Sequence, residues 1–477
     1  MRGASGVPHG KLPGRFGHTL SSRRAPCPVL AAEPSVDVDR EVIVAAVLWR
    51  RCMASGGTIV EIWRYRMTSG SPPGALSGLT VLDMTRVIAG PLGGQILGDL
   101  GAEVIKIERR GEGDDSRRVG PPWLRQPTET SSGESTYFLS VNRNKRSIAV
   151  DFATAAGQAI IRRLASAADI LIENYRTGTL ERYGLGYAAL REINPRLIYC
   201  SITGFGQTGP YAERSGYDFL VQGMGGVMSV TGHADTEEGA GPLRVGIPVV
   251  DAFAGMNAVI GILAALEHRR KTGEGQQVDI SLFESLAAAL LNTSSSWLNA
   301  GVKLGRTGND HPSAAPYGVF RASDGHIIIA TFNDREFVRL ANVLGHPEWL
   351  SDTRFMRNGD RVRNRPALKA LIADIIRTKT RAEWVSILND ATVSAGPIND
   401  IEDMERDAQA IARNMFLTLS SGAFGDVRTV ASPYRLSATP PAYRYPPPAV
   451  GEHNDEILAE AGYSETERAA LRAAGVL

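Results

Sequence analysis

The sequence predicts an α/β fold with a parallel sheet covered on both faces, followed by a smaller α+β unit. Three observations predict it. Short apolar strand patterns alternate with helical ones from residue 79 onward, the spacing of β-α-β units. The chain is 477 residues long, room for two or three domains. Composition then shifts to a loop-like stretch over Gly301 to Gly318, after which the alternation changes character.

Leu79 to Asp83 reads as a buried strand, Pro91 to Leu100 as a helix with proline in its first turn, and Glu103 to Glu108 as a second strand. The alternation continues with Ser147 to Val150 (strand), Ala155 to Ala168 (helix), Asp169 to Glu173 (strand), Tyr187 to Ile193 (short helix) and Leu197 to Thr203 (strand). Pro248 to Gly255 then closes an apolar run and opens a long helix. Its last turn holds His268, Arg269, Arg270 and Lys271, and Gly273 stands where a C-cap belongs. Gln277 to Ser281 reads as a strand and Leu282 to Leu298 as a helix. The second unit has a strand at Gly325 to Ala330, helices at Glu336 to Leu344 and Ala382 to Asn389, and an arginine-rich stretch from Arg354 to Arg365. After Asp403 come a hairpin-like stretch around Gly425, an extended Pro440 to Pro448 and a helical segment from about Asp455. That tail is too meagre for its own core and is expected to pack back on an earlier domain. The expected divisions are an N-terminal extension outside the fold (1–68), a large domain (69–300), a small domain (301–403) and the returning segment (404–477).

Ahead of Glu33 stand Arg2, Lys11, Arg15, Arg23 and Arg24 with no acidic residue. This is a transit-like composition, but glycine and proline are frequent and amphipathic periodicity is poor. The competing reading is an extension, with folding beginning near Met67. A cytoplasmic protein is expected, or one of the mitochondrial matrix if the extension is a transit peptide. The apolar run from Val42 to Trp49 is too short to span a bilayer. The 43% hydrophobic and 22% charged fractions are those of a globular protein. A net charge of +1 makes no electrostatic case for nucleic acid or an anionic membrane as partner. Cys27, Cys52 and Cys200 form neither a disulfide framework nor a metal site.

Several chemistries lose their motifs. The first strand runs into Asp83-Met84-Thr85-Arg86-Val87-Ile88-Ala89-Gly90-Pro91 rather than G-x-G-x-x-G. No Walker phosphate loop occurs, and neither Ser201 nor Ser215 has a nucleophile-elbow setting. The most telling residue is Asp251, at the start of the long helix. One account makes it an N-cap, for which aspartate is well suited. The other makes it a nucleophile, ionised and aimed by the helix N-terminus. Local sequence leaves both open.

The blocks around Asp251 resemble the class III CoA-transferases. They are Leu82 to Pro91, Leu97 to Glu108, Asn142 to Ser147, Glu173 to Gly178, Tyr183 to Tyr187, Ser201 to Gly206, Ser215 to Asp218, Asp251 to Gly255 and Arg270 to Gln276, in collinear order from Leu76 to the C-terminus. The resemblance implies a Rossmann-like large domain, a small domain, a C-terminal segment returning to the first, and two chains interlocked as a homodimer. It implies acyl-CoA and free carboxylic acids as substrates, with no prosthetic group. It makes Asp251 the covalent nucleophile and places Arg109, Val150, Asn174, Tyr175, Arg176 and Arg182 along CoA. Arginine forks suit a phosphorylated nucleotide. Tyr217 and Asp218 match a loop flanking the active site.

Within this fold, racemases of α-methylacyl-CoA carry Gly-His-Asp where this chain has Gly216-Tyr217-Asp218, and tyrosine is a poor acid/base replacement at neutral pH. Oxalate-type transferases have glutamine at the position of Ile88 and a glycine run where Gly305 to Gly318 holds only isolated glycines. A carnitine-type acceptor needs an aromatic or acidic site for quaternary ammonium, and none is evident. The wording of the motifs is most similar to succinyl-CoA:dicarboxylate transferases, with glutarate, itaconate, citramalate or mesaconate as acceptors. Arg86, beyond the C-terminal end of the first strand, is placed to pair with an acceptor's distal carboxylate. A CoA-ester isomerase and a non-catalytic CoA-binding protein are the alternatives.

Overall fold

The structure, a computed structural model, describes residues 74–125 and 134–477. The N-terminal extension, its apolar run, Cys27 and Cys52 lie outside the described residues.

Six parallel strands form the main sheet: β1 Thr80–Asp83, β2 Glu103–Glu108, β3 Lys145–Ala149, β4 Ile170–Glu173, β5 Ile198–Thr203 and β6 Gln277–Ser281. Their order is β3-β2-β1-β4-β5-β6, the doubly wound arrangement whose direction of build reverses between β1 and β4. Alternate residues of each strand feed opposite cores, as the period of two requires. Val81, Ile170, Ile172, Ile198 and Cys200 face one core, while Leu82, Leu171 and Tyr199 face the other. The α/β expectation holds.

On the first face lie α1 (Ala89–Asp99), α4 (Asp218–Met224), α5 (Val249–Thr272) and α6 (Leu282–Ala289); on the second lie α2 (Ala155–Ala167) and α3 (Tyr187–Ile193). Helix α5 ends at Gly273 with φ of 84°, the left-handed C-cap for which glycine has no steric penalty. It crosses α1 closely. A Cβ on Gly255 would stand 2.5 Å from the Ala89 carbonyl oxygen, so only glycine permits this approach. The helix expected over Leu282 to Leu298 is two helices. Leu291 adopts φ of 43°, and a separate helix, α7, runs over Leu291–Ala300. That second half is rich in Ser, Thr and Asn, which bond locally and propagate a helix weakly.

The second unit has its own apolar core, with Phe320, Ile327, Phe337, Trp349, Phe355 and Trp384 among its buried residues. An antiparallel sheet of β7 (Tyr317–Arg321), β8 (His326–Ala330) and β9 (Ser394–Pro397), ordered β9-β8-β7, supports helices Asp334–Val343, Arg365–Ile376 and Arg381–Asp390. The arginine-rich stretch buries Arg361 completely, where its guanidinium bonds the Ala315 and Phe355 carbonyls and Asp334.

The tail returns to the large sheet. After an antiparallel hairpin (Phe416–Ser421 with Gly425–Val430), the extended segment lies along the edge at β3. Asn144 donates to the Tyr445 and Ala442 carbonyls, and Arg117 donates to that of Pro448. Ile457 and Leu458 of the final helices then complete the second core.

Gly255→Val is expected to destabilise the fold by about 3 kcal/mol, because a helix contact must open to admit the side chain. Urea denaturation checks this; a loss below about 0.5 kcal/mol would show that α1 and α5 are not in contact there.

Candidate active site

Asp251 is not the N-cap of α5. The cap position belongs to Pro248, and Asp251 is the third helical residue. A carboxylate at this place normally reaches back to the cap residue's backbone N–H. Pro248 has none. The Asp251 carboxylate accordingly accepts no hydrogen bond from the described residues and is half-buried beside the helix start.

The cap comes from another element. The Oδ1 of Asp218, first residue of α4, accepts from the N–H of Val250 at 2.8 Å and of Asp251 at 3.4 Å. Its Oδ2 accepts from the Nε2 of fully buried Gln222 at 2.6 Å, and the Oε1 of Gln222 accepts from the Val245 N–H at 2.8 Å. Asp218 therefore consumes the two backbone donors and leaves Asp251 an unbonded carboxylate near a second one. Burial, and then the Asp218 charge, push the Asp251 pKa up to about 7. Desolvation and a neighbouring acid thus work against the helix N-terminus, which on one of the two sequence accounts holds Asp251 ionised. Tyr137 is the third member of this group. Its phenol is raised by burial and then by the charges of Asp251, Asp218 and Asp114, and stays a hydrogen-bond donor.

At the C-terminal ends of β1, β2 and β4 lies a cleft of about 50 Å³ lined in part by Thr85, Arg86, Arg109, Asp114, Phe152 and Tyr175. It opens where the strand order reverses, the usual ligand position in such sheets. Asn174 spans the switch point. Its side chain accepts from the Arg86 N–H at 2.9 Å and donates to the Arg86 carbonyl at 2.8 Å. The Arg86 guanidinium pairs with Asp115 at 2.7 Å and stacks 4.8 Å over the Tyr175 ring. Arg109 pairs with Glu112, while Arg118 lies 3.3 Å from Glu112 and 3.6 Å from Asp115. Three arginines thus share two acids at the mouth, which suits an anionic ligand.

A buried charge network holds the cleft floor. Lys106 and Lys145 are fully buried on β2 and β3. Lys145 lies 2.8 Å from Asp83 and donates to the Pro91 carbonyl. Lys106 lies 2.8 Å from Asp114 and donates to the Thr85 carbonyl. Burial alone would raise the Asp83 carboxyl, but Lys145 and Lys106 hold it below the usual range.

Of the residues expected from sequence, the structure brings Arg86, Arg109 and Tyr175 into the cleft, with Asn174 fixing its wall. Val150 is fully buried in the second core, so its side chain is closed to a ligand. Ile88 is buried at the start of α1. Arg176 is exposed and donates to Ser215 Oγ, Arg182 is exposed outside the cleft, and Tyr217 is 72% exposed. Asp218, expected in a loop flanking the active site, is the residue that caps α5. Sequence reasoning missed Tyr137, Gln222, Phe152, Asp114 and the two buried lysines. Lys106 carried a signal, as a charge inside the apolar strand Glu103–Glu108.

The comparisons bear on this geometry. The family model described as CoA-transferase family III matches residues 76–454. A succinate–glutarate CoA-transferase of Agrobacterium fabrum is 42% identical, covering 83% of this chain and 97% of that protein. An acetyl-CoA:oxalate CoA-transferase of Acetobacter aceti is 39% identical, covering 78% of this chain and 91% of that one. The crystal structure of a CAIB/BAIF family protein from Brucella suis superposes with a TM-score of 0.73 at 43% identity, covering 82% of this chain and all of the other.

The raised Asp251 carboxyl has a consequence for stability. Folded, it keeps its proton up to a pH of about 7, whereas unfolded it loses it near 4. The folded state binds the extra proton between these values, so this group's contribution to stability falls as pH rises across that window and the penalty is complete above it. Asp251→Asn is expected to stabilise the protein at pH 8 by about 1–2 kcal/mol after allowance for solvent screening, and by much less at pH 4. Urea denaturation at both pH values checks this; equal gains at the two would remove the titration argument. In a carboxyl-carbon NMR titration, Asp218→Asn, which keeps an oxygen for the cap but loses the charge, should move the Asp251 midpoint down.

Proposed function

The chain belongs to CoA-transferase family III, and on that premise we propose that this CoA-transferase moves CoA from succinyl-CoA to a dicarboxylic acid of the glutarate type, with Asp251 as nucleophile. The observation that carries the chemistry is the unbonded Asp251 carboxylate at the start of α5; the cleft at the strand ends, lined by Arg86 and Arg109, suits an anionic ligand. Both relatives described above are named for dicarboxylate acceptors, which supports that acceptor class. The distinction between oxalate and longer diacids rests on Ile88 and on the isolated glycines of residues 305–318.

In the proposed cycle an Asp251 oxygen attacks the succinyl-CoA thioester carbon and expels CoA thiolate, leaving a mixed anhydride. The thiolate attacks the Asp251 carboxyl carbon and releases succinate, giving an aspartyl-CoA thioester. The acceptor carboxylate attacks that carbon and displaces the thiolate again. The thiolate then takes the acceptor acyl group from the second anhydride and frees Asp251. Every step exchanges one acyl carrier for another. Arg109, Asn174 and Tyr175 are proposed to line CoA at the strand ends, and Arg86 to receive the acceptor's distal carboxylate, displacing Asp115.

A homodimer is part of the reading. Met256, Ile260 and Leu263 on α5 are exposed, as are Phe219 and Leu220 on α4 and Trp297 and Leu298 on α7. Apolar side chains exposed in this number suit burial by a second copy. By length and composition α5 could cross a membrane, but Val250, Ala254, Ala258, Ile262 and Ala265 on it belong to the sheet core.

Hydroxylamine or borohydride added with succinyl-CoA should modify Asp251, as peptide mass spectrometry would read, and Asp251→Ala should lower transfer by about 10³-fold or more. Modification elsewhere, or none, ends the nucleophile assignment. An acceptor screen with glutarate, citramalate, mesaconate, itaconate and oxalate identifies the acid. Arg86→Gln is expected to lower kcat/KM about tenfold for the dicarboxylate while sparing a monocarboxylate such as butyrate. An equal loss for both would sink the distal-carboxylate role.

A further inference from the structure

Val87 adopts φ of 70°. For a β-branched residue the left-handed region is a genuine outlier and persists only where surrounding structure imposes it. Here the imposing group is identifiable. The Val87 N–H donates to Asp114 Oδ1 at 3.0 Å, and Asp114 is only 1% exposed. That same oxygen accepts from the Ser116 N–H and hydroxyl, while Oδ2 is ion-paired with buried Lys106. Lys106 reaches back to the Thr85 carbonyl at 3.0 Å, and Asn174 holds both backbone groups of Arg86. Residues 85, 86 and 87 are thus each tied down, and the tie at Val87 is the one that works against a backbone preference.

The next residue, Asp115, pairs with the Arg86 guanidinium. One turn therefore grips the backbone after Arg86 with Asp114 and the side chain of Arg86 with Asp115. Thr85, Arg86 and Asp114 all line the cleft. We propose that Asp114 is a positioning residue, which clamps Val87 in the left-handed region and thereby aims Arg86 across the cleft towards the acceptor. The aiming rests on the reading of Arg86 as the acceptor's carboxylate partner; the clamp itself does not.

The test uses Asp114→Ala, Val87→Gly and the double variant in the full-length protein, with glutarate and butyrate as acceptors. Glycine enters the left-handed region without strain. Asp114→Ala should raise the glutarate KM about tenfold with a smaller change in kcat, and Val87→Gly in that background should bring it back to within about threefold of the original. Val87→Gly alone should stay within about threefold of the unaltered enzyme. A double variant no better than Asp114→Ala overturns the proposal. Because Asp114→Ala also strips Lys106 of its partner, thermal unfolding of Val87→Gly against Val87→Ala gives a reading that needs no change at Asp114. A midpoint for glycine at or above that for alanine supports the clamp, the reverse of the order at an ordinary backbone position; a lower one overturns it. Arg86→Gln, assayed alongside, separates the two claims. Equal losses for both acceptors refute the carboxylate role of Arg86, and the glycine-against-alanine order still decides the clamp.

Discussion

The site depends on the hydrogen bonds that the first free N–H groups of α5 donate to the Asp218 carboxylate. A helix start needs acceptors for those donors. In this chain neither Pro248 nor Asp251 supplies one, so the requirement is met by α4, more than thirty residues earlier in sequence. Two results follow from that division of labour. The helix is capped without using Asp251, and Asp251 is left beside a second carboxylate in a partly desolvated place. Its proton affinity is thereby brought close to neutrality, where a modest change of surroundings changes its charge.

A second constraint operates beneath the cleft. Asp83, Lys106, Lys145 and Asp114 place four charged groups in the interior, all essentially without solvent contact. Such pairs add little net stability, since desolvation offsets their attraction, but removing one partner costs about 3–5 kcal/mol. Their bonds run to the Thr85 and Pro91 carbonyls and to the Val87 N–H, so the network specifies the path of the chain between β1 and α1. Helix α1 has glycine where it passes this network. A Cβ on Gly94 would come within 2.7 Å of Asp83 Oδ2.

Most of the large sheet was legible residue by residue. The strands around Leu82, Ile105, Leu171 and Tyr199 show their apolar runs plainly, and Gly273 marks the end of α5 where it occurs. The break at Leu291 was not legible, since leucine at a positive φ has no local signal. The site was read unevenly for a similar reason. Arg86, Arg109 and Tyr175 stand just beyond strand ends, and strand ends converge in a parallel sheet. Tyr137 and Gln222 come from short helices whose placement depends on packing, and nothing in their neighbours announces it. Val150 shows the opposite error, a residue beside the cleft in sequence whose side chain points into the core.

By itself the sequence determined the α/β class, the collinear motif blocks and the position of Asp251 at the start of a long helix, because each is written in local periodicity and residue type. Only the tertiary structure decided which carboxylate caps that helix, which arginines share the cleft, and that Val87 is held in a conformation it would not choose. Those outcomes depend on groups far apart in the chain meeting at hydrogen-bond distance. Local patterns record the tendency of each segment, whereas the protonation of Asp251 and the aim of Arg86 are set by neighbours that only folding brings near.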